Sequence, residues 1–199
     1  MEQELALPAG EIDSGRGGLA DTSDDALVVR ARADPSAFAI LYERHRVAVY
    51  RYLRVRTSSD DAAADLSALT FERALAGLDH FRPTGGGFPA WLLRIARNAA
   101  IDAARRQRGT HSLDALRAWE LPTAPDDPEG SAVRHAEADE LRRQLRRLDE
   151  PVAEALALRY GAGLSTREIG VVIGKSEAAT QKLMSRALEA LREACRGWE

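Results

Sequence analysis

The segment Gly109–Gly130, GTHSLDALRAWELPTAPDDPEG, constrains the fold most, because it divides the chain. Pro122, Pro125 and Pro128, with the acidic pair Asp126-Asp127, give it the composition of a linker. On either side apolar residues recur three and four apart, and no alternating pattern persists, which is helical periodicity. A chain of 199 residues divided in this way predicts an all-α protein of two small helical domains joined by a flexible acidic linker. The expected boundaries are a mobile tail over 1–22, a first domain over 23–108, an acidic connector over 109–140 and a second domain over 141–199. Within the connector, Leu113–Leu121 with Trp119 reads as a short amphipathic turn.

Charge follows the same divisions although the formal net is only −3. Residues 1–34 hold three Arg against eight acids, and residues 35–108 hold twelve Arg against seven. Residues 109–140 hold two Arg against eight acids, and residues 141–199 hold eleven basic residues against eight. Two basic blocks separated by an acidic one read either as unevenly solvated helix faces or as two polyanion-facing modules.

The first block reads as four helices. Ser23 caps one through about Ala33, and Asp34-Pro35 stops it and starts a second that runs to about Arg56. The second carries Phe38, Leu41, Tyr42, His45, Val49, Tyr52 and Leu53 as its apolar stripe. Ser58 or Ser59 caps a third, with Asp60 and Asp61 in the first turn, ending near Gly77. The fourth starts at Pro89, with an apolar face of Trp91, Leu92, Ile95, Ala99 and Ala103. Its other face shows Arg94, Arg97, Asn98, Arg105 and Arg106. Such a face suits a DNA groove or a single strand, arginines holding phosphates and aromatics stacking on bases, and it equally suits plain solvation with Trp91 in the core.

In the second block Leu141, Leu145 and Leu148 begin a helical stripe, and Asp149-Glu150-Pro151 restarts the chain toward Gly161. A helix over Leu164–Ile173, a Gly174-Lys175 turn and a second helix from Ser176 to Leu188 form a helix-turn-helix pattern. Ile169, Val172 and Ile173 of the first helix, and Ala179, Leu183 and Leu188 of the second, are its expected core. Ser176 caps the second helix, and Glu177, Gln181, Lys182, Ser185 and Arg186 remain outward. Gln suits adenine and Lys or Arg suits guanine in a major groove, although a hairpin that merely packs shows the same apolar spacing.

Other chemistries find little support. The loop Phe81–Phe88 is rich in glycine but lacks the Gly-Lys-Ser/Thr ending of a phosphate loop and follows a helix. Cys195 is the single cysteine, which excludes cysteine-based zinc ribbons, iron–sulfur clusters and internal disulfides. His45, His80, His111 and His135 have no ligand-like spacing, so neither a metal site, a cofactor nor catalysis is expected. Apolar runs such as Ala37–Tyr42 and Phe88–Leu93 are too short to insert in a membrane, and Met1-Glu2-Gln3-Glu4 carries acids where a signal peptide carries Lys or Arg. The chain is expected to be cytoplasmic.

The run from Phe81-Arg82 through Phe88-Pro89-Ala90-Trp91-Leu92-Leu93-Arg94-Ile95-Ala96-Arg97-Asn98-Ala99-Ala100-Ile101-Asp102 resembles the extracytoplasmic-function (ECF) sigma factors of bacterial RNA polymerase. So does Leu158-Arg159-Tyr160 with Gly163-Leu164-Ser165-Thr166-Arg167-Glu168-Ile169 and the helix pair that follows. The resemblance covers about residues 24–108 and 141–195, two motifs in the family's order. It implies a non-catalytic promoter-specificity subunit whose partners are core RNA polymerase, promoter DNA and an anti-sigma factor. It implies that Arg94, Arg97, Asn98, Arg105 and Arg106 meet the minus-ten element, and that the loop Arg82–Gly87 holds an unstacked non-template base. It further implies that Ser176, Glu177, Gln181, Lys182 and Arg186 meet the minus-thirty-five element, and that the acidic linker threads the polymerase cleft.

Core-polymerase contact is implied for Asp65, Leu66, Thr70 and Phe71, the positions that match the family's Asp-Leu-Val-Gln-Glu-Thr-Phe. Here the middle reads Ser67-Ala68-Leu69, which lacks two polar partners for core polymerase. The loop Phe81–Phe88 is a residue longer than the family's commonest form, and Gln181 stands where a basic residue is common. The alternative is a stand-alone helix-turn-helix regulator that acts without polymerase.

Overall fold

A computed structural model describes residues 22–57, 59–83, 85–108 and 148–195, and among these every regular element is helical. The N-terminal tail, the connector with its amphipathic turn, Leu141 and Leu145 lie outside the described residues.

The first unit contains α1 (Asp24–Ala31), α2 (Pro35–Arg56), α3 (Asp60–Ala76), a 3-10 turn (Leu78–His80) and α4 (Gly87–Arg108). Their starts follow from capping. Ser23 accepts from the Ala26 amide, Asp34 from Ser36 and Ser59 from Ala62, each relieving an otherwise unpaired first-turn N–H. Leu27, Leu41, Tyr52, Leu53, Phe81, Phe88 and Leu92 are fully buried between the helices. Each large apolar side chain removed from water contributes roughly 1.5–3 kcal/mol. Two expectations need correction. Tyr42 lies at the surface, its ring edge against Phe71 at a centroid distance of 4.7 Å. On α4 the buried line is Leu92, Leu93, Ala96, Ala99 and Ala100, while Trp91, Ile95 and Ala103 are half-buried, because α2 and α3 both pack against it.

The second unit contains α5 (Glu150–Leu156), a π-turn (Ala157–Gly161), α6 (Thr166–Ile173) and α7 (Glu177–Cys195). α6 starts later than its apolar pattern suggests, because Ser165 and Glu168 close a capping box: the Ser165 amide donates to Glu168 Oε2 at 2.7 Å and the Glu168 amide to Ser165 Oγ at 3.3 Å. Gly174 ends α6 in the left-handed conformation with φ of 70°. The core register of α7 is Thr180, Leu183, Met184 and Ala187, and the expected Ala179 and Leu188 are exposed. Thr180 can be buried because its hydroxyl donates to the Ser176 carbonyl at 2.9 Å.

The units are separate in sequence and joined in space. α6 lies against α4, and the π-turn lies against α2. Gly161 makes the second contact possible, since a Cβ there would come within 3.3 Å of Tyr52 Cα.

Candidate nucleic-acid interface

Every expected reading residue of the helix-turn-helix is at the surface: Ser176, Glu177, Gln181, Lys182 and Arg186 are exposed along the outer face of α7. The Ser176 hydroxyl already accepts from the Ala179 amide at 3.3 Å, so it caps the helix. The angle between α6 and α7 depends on Gly170, where a Cβ would meet the Lys175 carbonyl oxygen at 2.9 Å and Thr180 Oγ1 at 3.0 Å. Arg159 donates to the Leu164 carbonyl at 2.9 Å and fixes the entry to α6. The face therefore carries two cations, an amide and a carboxylate on a rigid two-helix frame, a donor and acceptor set suited to base edges and phosphates. Arg167 and Lys175, exposed on α6 and the turn, add positive charge that the spacing of α7 alone did not mark.

On α4, Arg94, Asn98, Arg105 and Arg106 are exposed, and Arg106 Nε donates to the Asp102 carbonyl at 3.3 Å. Arg97 differs. It is half-buried, and its Nε lies 3.3 Å from Oε1 of Glu154 on α5.

The loop before α4 is built on aromatic packing. Phe81 and Phe88 are buried edge to face at 6.0 Å, and Trp91 packs on both at 5.3 and 5.7 Å. Arg32, which caps the C-terminal end of α1, reaches into its entrance, donating to the carbonyls of Leu78 and Phe81, each at 3.2 Å. His45 stacks at a tilt on Phe88 at 5.4 Å and is placed by Asp24, whose Oδ2 lies 2.6 Å from His45 Nε2. Arg44 also donates to Asp24, at 2.7 Å. These partners, the His45 hydrogen bond foremost, hold the Asp24 carboxyl below its ordinary pKa. Periodicity placed Arg32, Asp24 and His45 on helices but did not reveal that they brace this loop.

The four α3 positions separate by exposure. Asp65 is exposed, whereas Leu66, Thr70 and Phe71 are buried, so only Asp65 of that set offers its side chain to a partner. Thr70 spends its hydroxyl on the Leu66 carbonyl at 2.7 Å, and Phe71 packs against Phe38 and Tyr42. The outward line of α3 is Ala64, Asp65, Ala68, Glu72 and Leu75. Among the described residues no group of His, Cys, Asp and Glu is arranged to hold a metal ion, and no helix is long and apolar enough to cross a membrane.

Two helical units, one ending in a helix-turn-helix with a polar outer face and the other presenting an arginine-lined helix beside an aromatic loop, define a two-part DNA-recognition protein. The chain matches the family model for sigma-70 region 2 over residues 41–110 and that for sigma-70 region 4 over residues 138–191. It is 34% identical over 185 residues to the ECF RNA polymerase sigma factor BldN of Streptomyces coelicolor, covering 92% of this chain and 67% of that protein. It is 34% identical over 159 residues to the RNA polymerase sigma factor CarQ of Myxococcus xanthus, covering 79% of this chain and 88% of that protein. The fold is similar to that of CnrH in its complex with the cytosolic domain of CnrY, with a TM-score of 0.64 and 25% identity over 86% of this chain and 96% of that one. The chain belongs to the ECF sigma factors of bacterial RNA polymerase, and two family regions in order on one chain do not favour a stand-alone regulator.

Proposed function

We propose that this sigma factor divides promoter recognition between residues 23–108 and 141–199, with residues 109–140 as the connector. The observation that carries the reading is the outer face of α7, where Gln181, Lys182 and Arg186 are all exposed on a frame set by Gly170 and Gly174. In this reading Ser176, Glu177, Gln181, Lys182 and Arg186 meet the minus-thirty-five duplex, Gln181 and Arg186 reading base edges and Lys182 a phosphate. Arg94, Arg97, Asn98, Arg105 and Arg106 meet the minus-ten element, and the braced loop Arg82–Gly87 receives a base from the melted strand. Core polymerase docks on the outward line of α3 at Asp65, Ala68, Glu72 and Leu75, with Leu66, Thr70 and Phe71 shaping that surface from beneath.

The reading includes no catalysis by this chain and a cytoplasmic location. An anti-sigma partner is part of it, supported by the CnrH complex and by the similar fold of the sigma factor RpoE bound to the anti-sigma factor NepR from Bartonella quintana. The test is footprinting of the holoenzyme on a promoter fragment it transcribes. Protection near minus thirty-five that Arg186→Ala removes, with permanganate-reactive thymines near minus ten that survive, is expected. Protection unchanged by Arg186→Ala, Lys182→Ala and Gln181→Ala together would overturn the assignment.

A further inference from the structure

The loop Arg82–Gly87 has little in its own sequence to hold a shape, since Gly85, Gly86 and Gly87 carry no side chains and Gly87 stands in the left-handed region with φ of 60°. What fixes it lies at its two ends, and both are held from α1. At the entrance the Arg32 guanidinium takes the Leu78 carbonyl with Nε at 3.3 Å and Nη2 at 3.2 Å, and the Phe81 carbonyl with Nη2 at 3.2 Å. Those carbonyls bracket the 3-10 turn that delivers the chain into the loop, and a planar charged fork fixes both at once. At the exit Asp24, in the first turn of α1, holds His45 Nε2 at 2.6 Å, and the His45 ring lies on Phe88. Asp24 is itself fixed by Arg44, which also donates to the Thr22 carbonyl at 2.7 Å. Its neighbour Asp25 turns to the same end. Asp25 Oδ1 is buried without a hydrogen-bond partner and lies 3.7 Å from where a Cβ would stand on Gly87, so its charge meets the positive end of α4.

One helix therefore spans the loop from end to end, and the burial of Leu27, Val28 and Ala31 keeps it from turning about its axis. We propose that α1 is the positioning element of this loop, holding it, before DNA arrives, in the shape that accepts a melted base. Arg32, Asp24 and His45 are then positioning residues for strand capture, acting through Leu78, Phe81 and Phe88 and not on DNA. The inference rests on the assignment of the loop to the minus-ten strand.

A loop released at either end samples other shapes, and apparent affinity falls to the fraction of molecules that stay competent. The glycines make this loss steep, because they have the most backbone freedom to regain. Positioning and contact leave different kinetic signatures. A strand that must wait for a competent loop associates more slowly and, once bound, leaves at the parent rate, whereas a lost contact speeds departure. Lost positioning also scales the affinity for all four bases alike, whereas a lost base contact reorders them.

The test loads the full chain on core RNA polymerase and follows, by stopped-flow fluorescence, a dye-labelled non-template oligonucleotide spanning the minus-ten element of a promoter that the holoenzyme transcribes. Arg32→Ala at the entrance should slow association roughly tenfold, and Asp24→Asn at the exit roughly threefold, because the amide still accepts but without charge; neither should change dissociation. Arg32→Lys, which keeps the charge but not the fork, should fall between the parent and Arg32→Ala. Single-base replacements along the oligonucleotide should show the parent's order of preference in every variant. Unchanged helix content by circular dichroism and unchanged duplex binding at minus thirty-five show that each variant is folded. Association at the parent rate in both Arg32→Ala and Asp24→Asn, faster dissociation as the sole change, or a reordered base preference would overturn the brace. Failure of the minus-ten assignment looks different: the parent holoenzyme would hold this oligonucleotide no better than one of scrambled sequence, Arg94→Ala would not weaken it, and the brace would fall with the assignment.

Discussion

The Tyr52 hydroxyl donates a 2.7 Å hydrogen bond to Glu154, a residue 102 positions further along the chain, and both side chains are buried. One bond thus ties the helix at the heart of the first unit to the first helix of the second. Tyr52→Phe keeps the ring in its core and removes only the donor to a charged acceptor, an interaction worth about 1.5–3 kcal/mol. Urea denaturation should show a loss of that order, and in the Glu154→Gln background the same substitution should cost measurably less. Tyr52→Ala also removes a buried ring and should cost about 3–5 kcal/mol. A Tyr52→Phe loss undiminished by Glu154→Gln would mean the bond is incidental.

Arg186→Ala should weaken duplex recognition at minus thirty-five while leaving core-polymerase binding intact, since Arg186 is exposed and faces away from the α7 core line of Leu183, Met184 and Ala187. Lys182→Ala should lower affinity with little regard to sequence and reduce the slope of log affinity against log salt by about 0.9 for the lost phosphate contact. Fluorescence anisotropy at several salt concentrations separates the two. Loss of core binding in parallel with DNA binding would indicate an unfolded second unit.

The α3 surface lacks the family's two central polar residues, and the structure distinguishes what restoring each would do. Ala68 is exposed, so Ala68→Gln should tighten core binding with no loss of stability. Leu69 packs partly against the core, so Leu69→Glu should cost about 1–3 kcal/mol by burying a carboxylate stem without a partner. Surface plasmon resonance with immobilised core enzyme, paired with thermal melts, checks both. Unchanged affinity for Ala68→Gln would mean that α3 contacts core polymerase elsewhere.

Gly174 and Gly170 should fail for different reasons. At Gly174 an added Cβ meets nothing within 4 Å, so Gly174→Ala costs only the left-handed backbone, roughly 1–2 kcal/mol. At Gly170 the Cβ meets a backbone carbonyl at 2.9 Å, so Gly170→Ala must part α6 from α7. The first should leave duplex affinity nearly unchanged well below its melting temperature. The second should lower affinity even where circular dichroism shows a fully helical protein.

Asp24 supplies the acid dependence. Its pKa in the folded chain is lowered, chiefly by the His45 hydrogen bond, so its contribution is fully present above the unfolded carboxylate value of 3.8 and disappears as pH falls through the lower folded value. Parent and Asp24→Asn should therefore differ in stability at pH 5 to 7 and converge as pH drops below about 4. A constant difference down to pH 2 would show that Asp24 acts by shape.

Much of this architecture can be read locally. Ser23, Asp34, Ser59 and Ser176 each announce a helix start, Gly174 announces the turn, and the outward face of α7 follows from types and spacing, whereas the cap at Ser165 was masked by the apolar Leu164 before it. The α7 core register was not legible, because a buried threonine looks polar until its bond to the Ser176 carbonyl is seen. Glu154 was hidden for the same reason at longer range. It stands between Ala153 and Ala155, both buried, and no local pattern says that its counter-charges arrive on α2 and α4. Asp65, Leu66, Thr70 and Phe71 match a motif, but a motif does not say which of its members face outward. The docking of two units across a connector is a long-range property that composition treats as separation.

The most direct measurement mixes the purified chain with core RNA polymerase lacking any sigma factor and follows gel filtration and run-off transcription on genomic fragments. The account predicts co-elution with core and discrete transcripts whose starts share a minus-thirty-five and a minus-ten element, lost on combined substitution of Gln181, Lys182 and Arg186. A chain that binds DNA alone, neither co-elutes nor starts transcripts, and behaves the same after Ala68→Gln would contradict it.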